Sequence, residues 1–284
     1  MSTGRGRGFT MIELVIAIVI ASIVLGASFK LLTSNQRFYR SQSQLMDVQQ
    51  NLRTITAVLA SDLRELDARG GDIVLMTDTA ISIRGMRGWG IVCTTPVVGT
   101  GQFVIKNSLF FMAGGTIDVT KDNILLFREA NTTSNTDDKW LVGSISATGS
   151  SNCTDGTAGT RLTVSVTGGN SQLDSVTVGA PLRIWEQVNY RLYLGYQNAY
   201  WLGTRTLVNG SYASNSPVAG PLASTRGLQL IYYDSTGAVT ATATNVASIG
   251  VIARGQSLQD VQFQGRPSGP YRDSVLARVA LRNN

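Results

Sequence analysis

Between Leu14 and Phe29 the chain has no charged residue, and the apolar run around this stretch extends from Phe9 to about Leu32 with one acid, Glu13, inside it. At 1.5 Å per residue, a helix of that length crosses about 30 Å of hydrocarbon. The leader before it, MSTGRGRG, carries Arg5 and Arg7, which would hold the start of the run in the cytoplasm. A secretory signal has the same outline, with small residues around Leu25-Gly26-Ala27. Two features oppose that reading. An unpaired carboxylate at Glu13 would cost about 3 kcal/mol or more within a bilayer, so its presence calls for a partner charge. Helical periodicity also continues past the run instead of ending with it. The alternative for Glu13 is a carboxylate near the membrane edge that reaches out to water.

Composition narrows the choices for the chain beyond the run. Charged residues make up 15% of the chain, and Thr, Ser, Gly and Asn recur through its second two thirds, which suits a β-rich extracellular surface. Arginine supplies most of the formal charge of +6, the lysines being Lys30, Lys106, Lys121 and Lys139 alone. Basicity spread so thinly argues against a dedicated nucleic-acid domain. With no histidine, Ser/His/Asp triads, Cys/His dyads and histidine metal sites are excluded. Cys93 and Cys153 lie in Gly/Ser/Thr-rich stretches with no further cysteine to complete a zinc site. A single disulfide fits best and would place this region in an oxidising compartment; two free buried thiols are the alternative.

The residues Gly8-Phe9-Thr10-Met11-Ile12-Glu13-Leu14 resemble the class III signal of type IV prepilins. The resemblance implies cleavage between Gly8 and Phe9 by a membrane aspartyl peptidase, methylation of the new amino terminus at Phe9, and retention of the helix. It also implies that Glu13, fifth in the mature chain, neutralises the terminal amine of a neighbouring subunit. The physical basis is that two poorly solvated opposite charges reduce each other's burial cost. The implied location is the inner membrane, spanned once with the amino terminus inside, and after assembly an extracellular pilus or periplasmic pseudopilus. The implied partners are major and minor pilins, the prepilin peptidase and an inner-membrane assembly platform.

After Lys30 the pattern becomes amphipathic. Phe38, Leu45, Val48, Leu52, Ile55, Leu59, Leu63 and Leu66 fall on one face, with Arg37, Arg40, Asp47, Gln49, Arg53, Asp62, Arg64 and Glu65 between them. Gly70-Gly71 supplies the stop. One helix from Phe9 to about Leu66 would be about 87 Å long, with Gly26 a point of bending. Its outer half is expected to cover the sheet of a head domain; its inner half has no head to rest on and needs neighbouring subunits.

From Gly71 onward the pattern predicts strands at Asp72–Met76, Ala80–Arg84, Gln102–Lys106, Ile124–Arg128, Leu141–Ala147 and Arg161–Thr167, then Pro181–Leu194, Tyr200–Leu207, Leu228–Asp234, Ala238–Ala243, Ala247–Arg254 and Asp273–Arg282. Asp234-Ser235-Thr236-Gly237 reads as a hairpin turn. The stretches Val188–Tyr193, Tyr200–Arg205, Leu228–Asp234 and the ending Val279-Ala280-Leu281-Arg282-Asn283 resemble PilW-like minor pilins and J-type minor pseudopilins, while Gly85–Gly179 reads as family-specific decoration. The expected fold is α+β and type IV pilin-like: a long N-terminal α-helix packed on an antiparallel β-sheet, with an additional β-rich region carrying the cysteine pair. The expected segments are a cleaved leader over 1–8, a transmembrane or filament-core helix over 9–32, an amphipathic helix over 33–69 and a β-rich extracytoplasmic head over 70–284.

Motifs for chemistry are sparse. Gly99-Thr100-Gly101 lacks the third glycine and following helix of a dinucleotide loop, and there is no P-loop, so no cofactor is expected. Asp137-Asp138 and Asp155 are weak candidates for Ca²⁺, a solvated loop being the plainer reading. Arg84, Arg87, Arg266, Arg272, Arg278 and Arg282 are candidates for nucleic-acid phosphate, against exposed strand arginines. Trp89, Trp140, Trp185 and Trp201 read as core or interface residues before a sugar platform. The functional expectation is a minor type IV pilin that primes or caps a filament, and not an enzyme; the alternatives are a minor pseudopilin of a type II secretion system or a DNA-binding uptake pilin.

Overall fold

The computed structural model describes residues 10–129, 133, 138–262 and 267–282. A single helix, α1 (Met11–Arg64), opens the chain and runs unbroken through Gly26. It stops at Arg64, two residues short of Leu66, and Gly71 then turns the chain at φ +83°. Strands follow as β1 (Ile73–Met76), β2 (Ala80–Ile91), β3 (Gln102–Lys106), β4 (Phe111–Met112), β5 (Asp122–Arg128), β6 (Lys139–Asn152) and β7 (Ala158–Val166). The second set is β8 (Pro181–Leu194), β9 (Tyr200–Val208), β10 (Ser211–Tyr212), β11 (Ser216–Leu222), β12 (Leu228–Tyr233), β13 (Ser248–Val261) and β14 (Gly269–Ala280).

All of these pair antiparallel in one sheet ordered β12-β13-β11-β9-β8-β5-β6-β7-β3, with β14 on β13, β10 on β9, and β2, which carries β1 and β4, on β8. The long helix on a large antiparallel sheet is the expected α+β, type IV pilin-like arrangement. The helix docks through its outer part only. Val48, Leu52, Ile55, Leu59 and Leu63 recur at three or four residues, so they share one face, and all five are buried with Leu66 against β11, β13 and β14, in a core that β12 also enters. Phe38, expected on that face, stands clear of the head at 62% exposure, because the sheet does not reach so far down the helix.

The close approach of helix and sheet depends on Gly255 of β13. A Cβ there would lie 2.7 Å from Val48 Cγ1 and 3.3 Å from Leu52 Cγ. A hydrogen bond from Tyr190 of β8 to the Asp62 carboxylate adds a polar clasp, and burial, reinforced by that carboxylate, pushes the Tyr190 phenol above its ordinary range. At the far end the Arg282 N–H donates to the Arg64 carbonyl at 2.9 Å.

The second β region is continuous with the first through β8, whose Leu182 and Ile184 enter one core and whose Tyr190 enters the other. It is therefore no separate appendage. Strands β2, β8, β5, β6, β7 and β3 curl until β3 meets the residue after β2 at the bridge Val92↔Ile105. This encloses Phe103, Ile105, Ile124, Leu126, Leu162 and Leu182. Ala238–Ala243 is not a strand; only Val239 bridges back to Tyr233, although Asp234 does close the turn, its N–H donating to the Ala238 carbonyl and its carboxylate accepting from the Thr236 N–H and hydroxyl.

Two outcomes test this packing. Gly255→Val should lower the unfolding free energy of the detergent-solubilised chain by about 1–3 kcal/mol through overpacking, and unchanged denaturant midpoints would refute the close-approach role. Tyr190→Phe should cost about 1.5–3 kcal/mol at pH 7, as expected for loss of a hydrogen bond to a charged group. Because the folded phenol ionises later than an unfolded one, its contribution is complete below about pH 10 and is lost as pH rises further. The gap between wild type and variant, followed by urea titration, should therefore narrow above that pH.

Candidate assembly site

The inner part of α1 is the site with most surface and least cover. From Met11 to Asp47 it extends about 55 Å at 1.5 Å per residue, and no residue of that stretch is fully buried. Met11 is 86% exposed, Leu25 and Phe29 each 69%. Its most apolar window has a mean hydropathy of 2.5 and none of it is buried, so the helix is long and apolar enough to cross a membrane. Polar residues inside it are satisfied locally: Ser22 Oγ donates to the Val19 carbonyl at 2.8 Å and Thr33 Oγ1 to the Phe29 carbonyl at 3.0 Å. Cβ space around Gly26 is open and the helix runs straight through it, with no break at that glycine.

At its start Thr10 and Glu13 form a reciprocal cap. The Thr10 N–H and hydroxyl each donate to Glu13 Oε2 at 2.9 Å, and the Glu13 N–H donates to Thr10 Oγ1 at 3.4 Å. Two orphan donors of the first helical turn are thereby satisfied at the end of the helix that carries partial positive charge. Glu13 Oε1 has no donor among the described residues and remains open to a second cation. Apolar periodicity alone does not mark Thr10, although Thr followed three residues later by Glu is the pattern that announces such a cap. Gly8 and Phe9, the expected cleavage and methylation positions, lie outside the described residues.

Above the apolar run, Phe38 and Tyr39 form an edge-to-face pair with centroids 6.4 Å apart, and Tyr39 is 73% exposed. These rings lie beyond the charge-free run and short of the first buried residue, Val48.

The other candidate residues are dispersed. Cys93 and Cys153 form a disulfide, Cα atoms 5.2 Å apart, at the seam where the curled sheet closes. Next to it the Cys93 N–H donates to the Val104 carbonyl at 2.8 Å. Arg84 pairs with Asp72 at 3.5 Å and lies over the Trp185 ring. Burial raises the Asp72 carboxyl, with the Asp67 N–H and Arg84 opposing that shift. Arg87 is held by Asp122 and Glu186, Arg272 by Gln256, and Arg278 by Ser248 and the Tyr233 ring. Arg266 lies outside the described residues. Arg87 and Arg282 border one groove, while Arg84, Arg272 and Arg278 are engaged elsewhere, so the expected arginine set does not converge as a whole on one phosphate-sized site. Asp155 pairs with Lys106 Nζ at 2.6 Å and accepts from Thr157, contacts that hold its carboxyl below the usual range. Asp137 lies outside the described residues, and among those residues no group of three acids or cysteines has metal-binding geometry. Trp185 is buried, whereas Trp89 is 51% exposed.

Residues 4–29 match the family described as the prokaryotic N-terminal methylation motif. No curated protein and no solved structure matches the chain. With the uncovered apolar helix, the motif is consistent with a type IV prepilin-like protein. It supports a subunit of the type IV pilin or pseudopilin type, processed by prepilin peptidase and anchored in a membrane by its N-terminal helix.

The seam disulfide closes a loop of 60 positions. Loop-closure entropy then predicts that Cys93→Ser with Cys153→Ser loses about 4 kcal/mol of stability. Urea denaturation of the detergent-solubilised chain measures this, and equal midpoints for variant and wild type would show that the seam is held by packing alone.

Proposed function

We propose that the chain is a minor type IV pilin, a low-copy subunit that primes or caps a filament, and that it has no catalytic role. The observation that carries this reading is the uncovered helix from Met11 to Arg40, which begins beside a carboxylate whose second oxygen has no donor among the described residues. In the membrane lipid covers its apolar part; once extracted, only the stems of neighbouring subunits can. A cation near Glu13 is needed at that step, and the amine of a neighbour's processed Phe9 supplies one of matching burial. Cleavage after Gly8, methylation of Phe9 and a cytoplasmic amino terminus complete the scheme, with the head outside the inner membrane and, after assembly, in an extracellular pilus. A head extending from residue 70 to 284 is bulky for a repeated shaft subunit, which favours few copies at a tip. Major and minor pilins, the prepilin peptidase and an inner-membrane assembly platform are its partners.

Intact mass and amino-terminal sequencing of the membrane-extracted protein should give a chain beginning with methylated Phe9. Glu13→Ala should leave membrane levels within about twofold while reducing recovery in sheared filaments by more than about tenfold, the loss expected when a buried charge has no mate. A mature chain starting near Ser28, or undiminished incorporation of the alanine variant, would sink the proposal. Loss of enzyme export with filaments intact on deletion would instead assign the chain to a secretion pseudopilus.

A further inference from the structure

Trp89 of β2 has Phe111 of β4 as its cross-strand partner on one side and Arg183 of β8 on the other. Directly opposed residues in an antiparallel sheet share a face, so the three form a row. Arg183 then reaches over β5 to lay its guanidinium 4.7 Å from the centroid of the Trp140 ring in β6, which Phe127 meets edge-on at 5.5 Å. From β4 to β6 the row crosses about 19 Å at about 4.8 Å per strand. Leu182 and Ile184, the neighbours of Arg183 along β8, point the opposite way into the second core. The row is therefore not core that happens to surface. Trp89 is 51% and Phe111 60% exposed, and they border a groove of about 610 Å³ that Met86 and Arg282 also line.

The two cations of this groove that stand outside the internal ion pairs define what it fits. Among the described residues neither the Arg183 nor the Arg282 side chain has an ion pair or hydrogen bond, and Arg183 lies over the Trp140 ring; both are exposed. Arg87, in the same groove, is by contrast neutralised by Asp122 and Glu186. Stacking on Trp140 holds the Arg183 guanidinium at the exposed face, and a guanidinium can match a carboxylate with two parallel hydrogen bonds.

We propose that this row is a platform for an acidic polysaccharide. The apolar faces of its sugar rings lie on Trp89 and Phe111 while its carboxylates meet Arg183 and Arg282. A single-stranded nucleic acid would use the same rings, but it brings a phosphate with every nucleotide, whereas the groove offers two guanidiniums with no ion pair among the described residues and also carries the Glu65 carboxylate. Sparse carboxylates on a hydroxyl-rich chain suit that balance. The site is independent of filament assembly, and its failure would leave the role of Glu13 untouched.

The test is titration of the full chain in detergent micelles with oligogalacturonate, a neutral cello-oligosaccharide and oligothymidylate, followed by tryptophan fluorescence and calorimetry. Oligogalacturonate should bind and the neutral chain should bind at least about tenfold more weakly. Trp89→Ala and Arg183→Gln should each raise the Kd by about tenfold or more with unchanged thermal midpoints, while Arg272→Gln, remote from the row, should leave it unchanged. If Trp89→Ala fails to fold, Arg183→Gln alone decides. No binding of oligogalacturonate, equal binding of the neutral chain, tighter binding of oligothymidylate, or indifference to Arg183→Gln would each overturn the proposal.

Discussion

One helix is asked to live in two environments, and the contact that makes this workable is the docking of Val48 through Leu66 onto the sheet. Five helical side chains of that stripe are buried, and Gly255 lets the backbone of β13 come close enough for Val48 and Leu52 to fill the gap. Full burial of side chains this size is worth about 1.5–3 kcal/mol each, enough for the stripe to hold the head firmly while nothing comparable holds the inner part. The lower helix is left as a bare rod because the sheet ends before it. Phe38 is exposed for the same reason, in spite of standing on the same sequence stripe.

The head depends in turn on β8, which serves two cores at once. Its last residues lie under the helix and its first residues lie within the curled region, so the two hydrophobic clusters share one backbone ladder. The disulfide sits where the curl closes, a place at which the strands are joined only by short bridges such as Val92↔Ile105. A covalent link there acts on the weakest part of the ladder.

Much of this was legible in the chain. The apolar run, the stripe from Val48 to Leu66, the cysteine pairing and β8, with its alternating pattern from Pro181 to Leu194, all came from periodicity and composition. What stayed hidden has physical reasons. Strand β11 carries Pro217, Gly220 and Pro221, which discourage a strand reading, yet it lies between β9 and β13 because its irregular register leaves few ladder bonds to lose. Strand β2 runs on through Gly85, Gly88 and Gly90, which look like breaks but permit close passage: a Cβ on Gly88 would lie 2.6 Å from the Phe111 carbonyl oxygen. Ala238–Ala243 alternates convincingly but finds no partner beyond one bridge, and further along β12 the Leu230 N–H is already taken by the Asp78 carbonyl. The row of Phe111, Trp89 and Arg183 spans three strands that are distant in sequence, and only register brings it together.

The direction of β14 has a mechanical consequence. The strand begins beside Leu45, through the groove that Tyr271 shares with it, and the residues just after it end at Arg64, so it runs alongside the helix in the same sense. Its ladder with β13 extends from Val261↔Gly269 to Ser248↔Ala280. The helix packs on β13 as well as on β14, so tension drawn along the stem loads the contact between helix and sheet lengthwise, in shear, and the whole stripe of side chains shares the strain. A hairpin hung crosswise would peel open one rung at a time, whereas a head stitched on in this way can hang from its own stalk under pull.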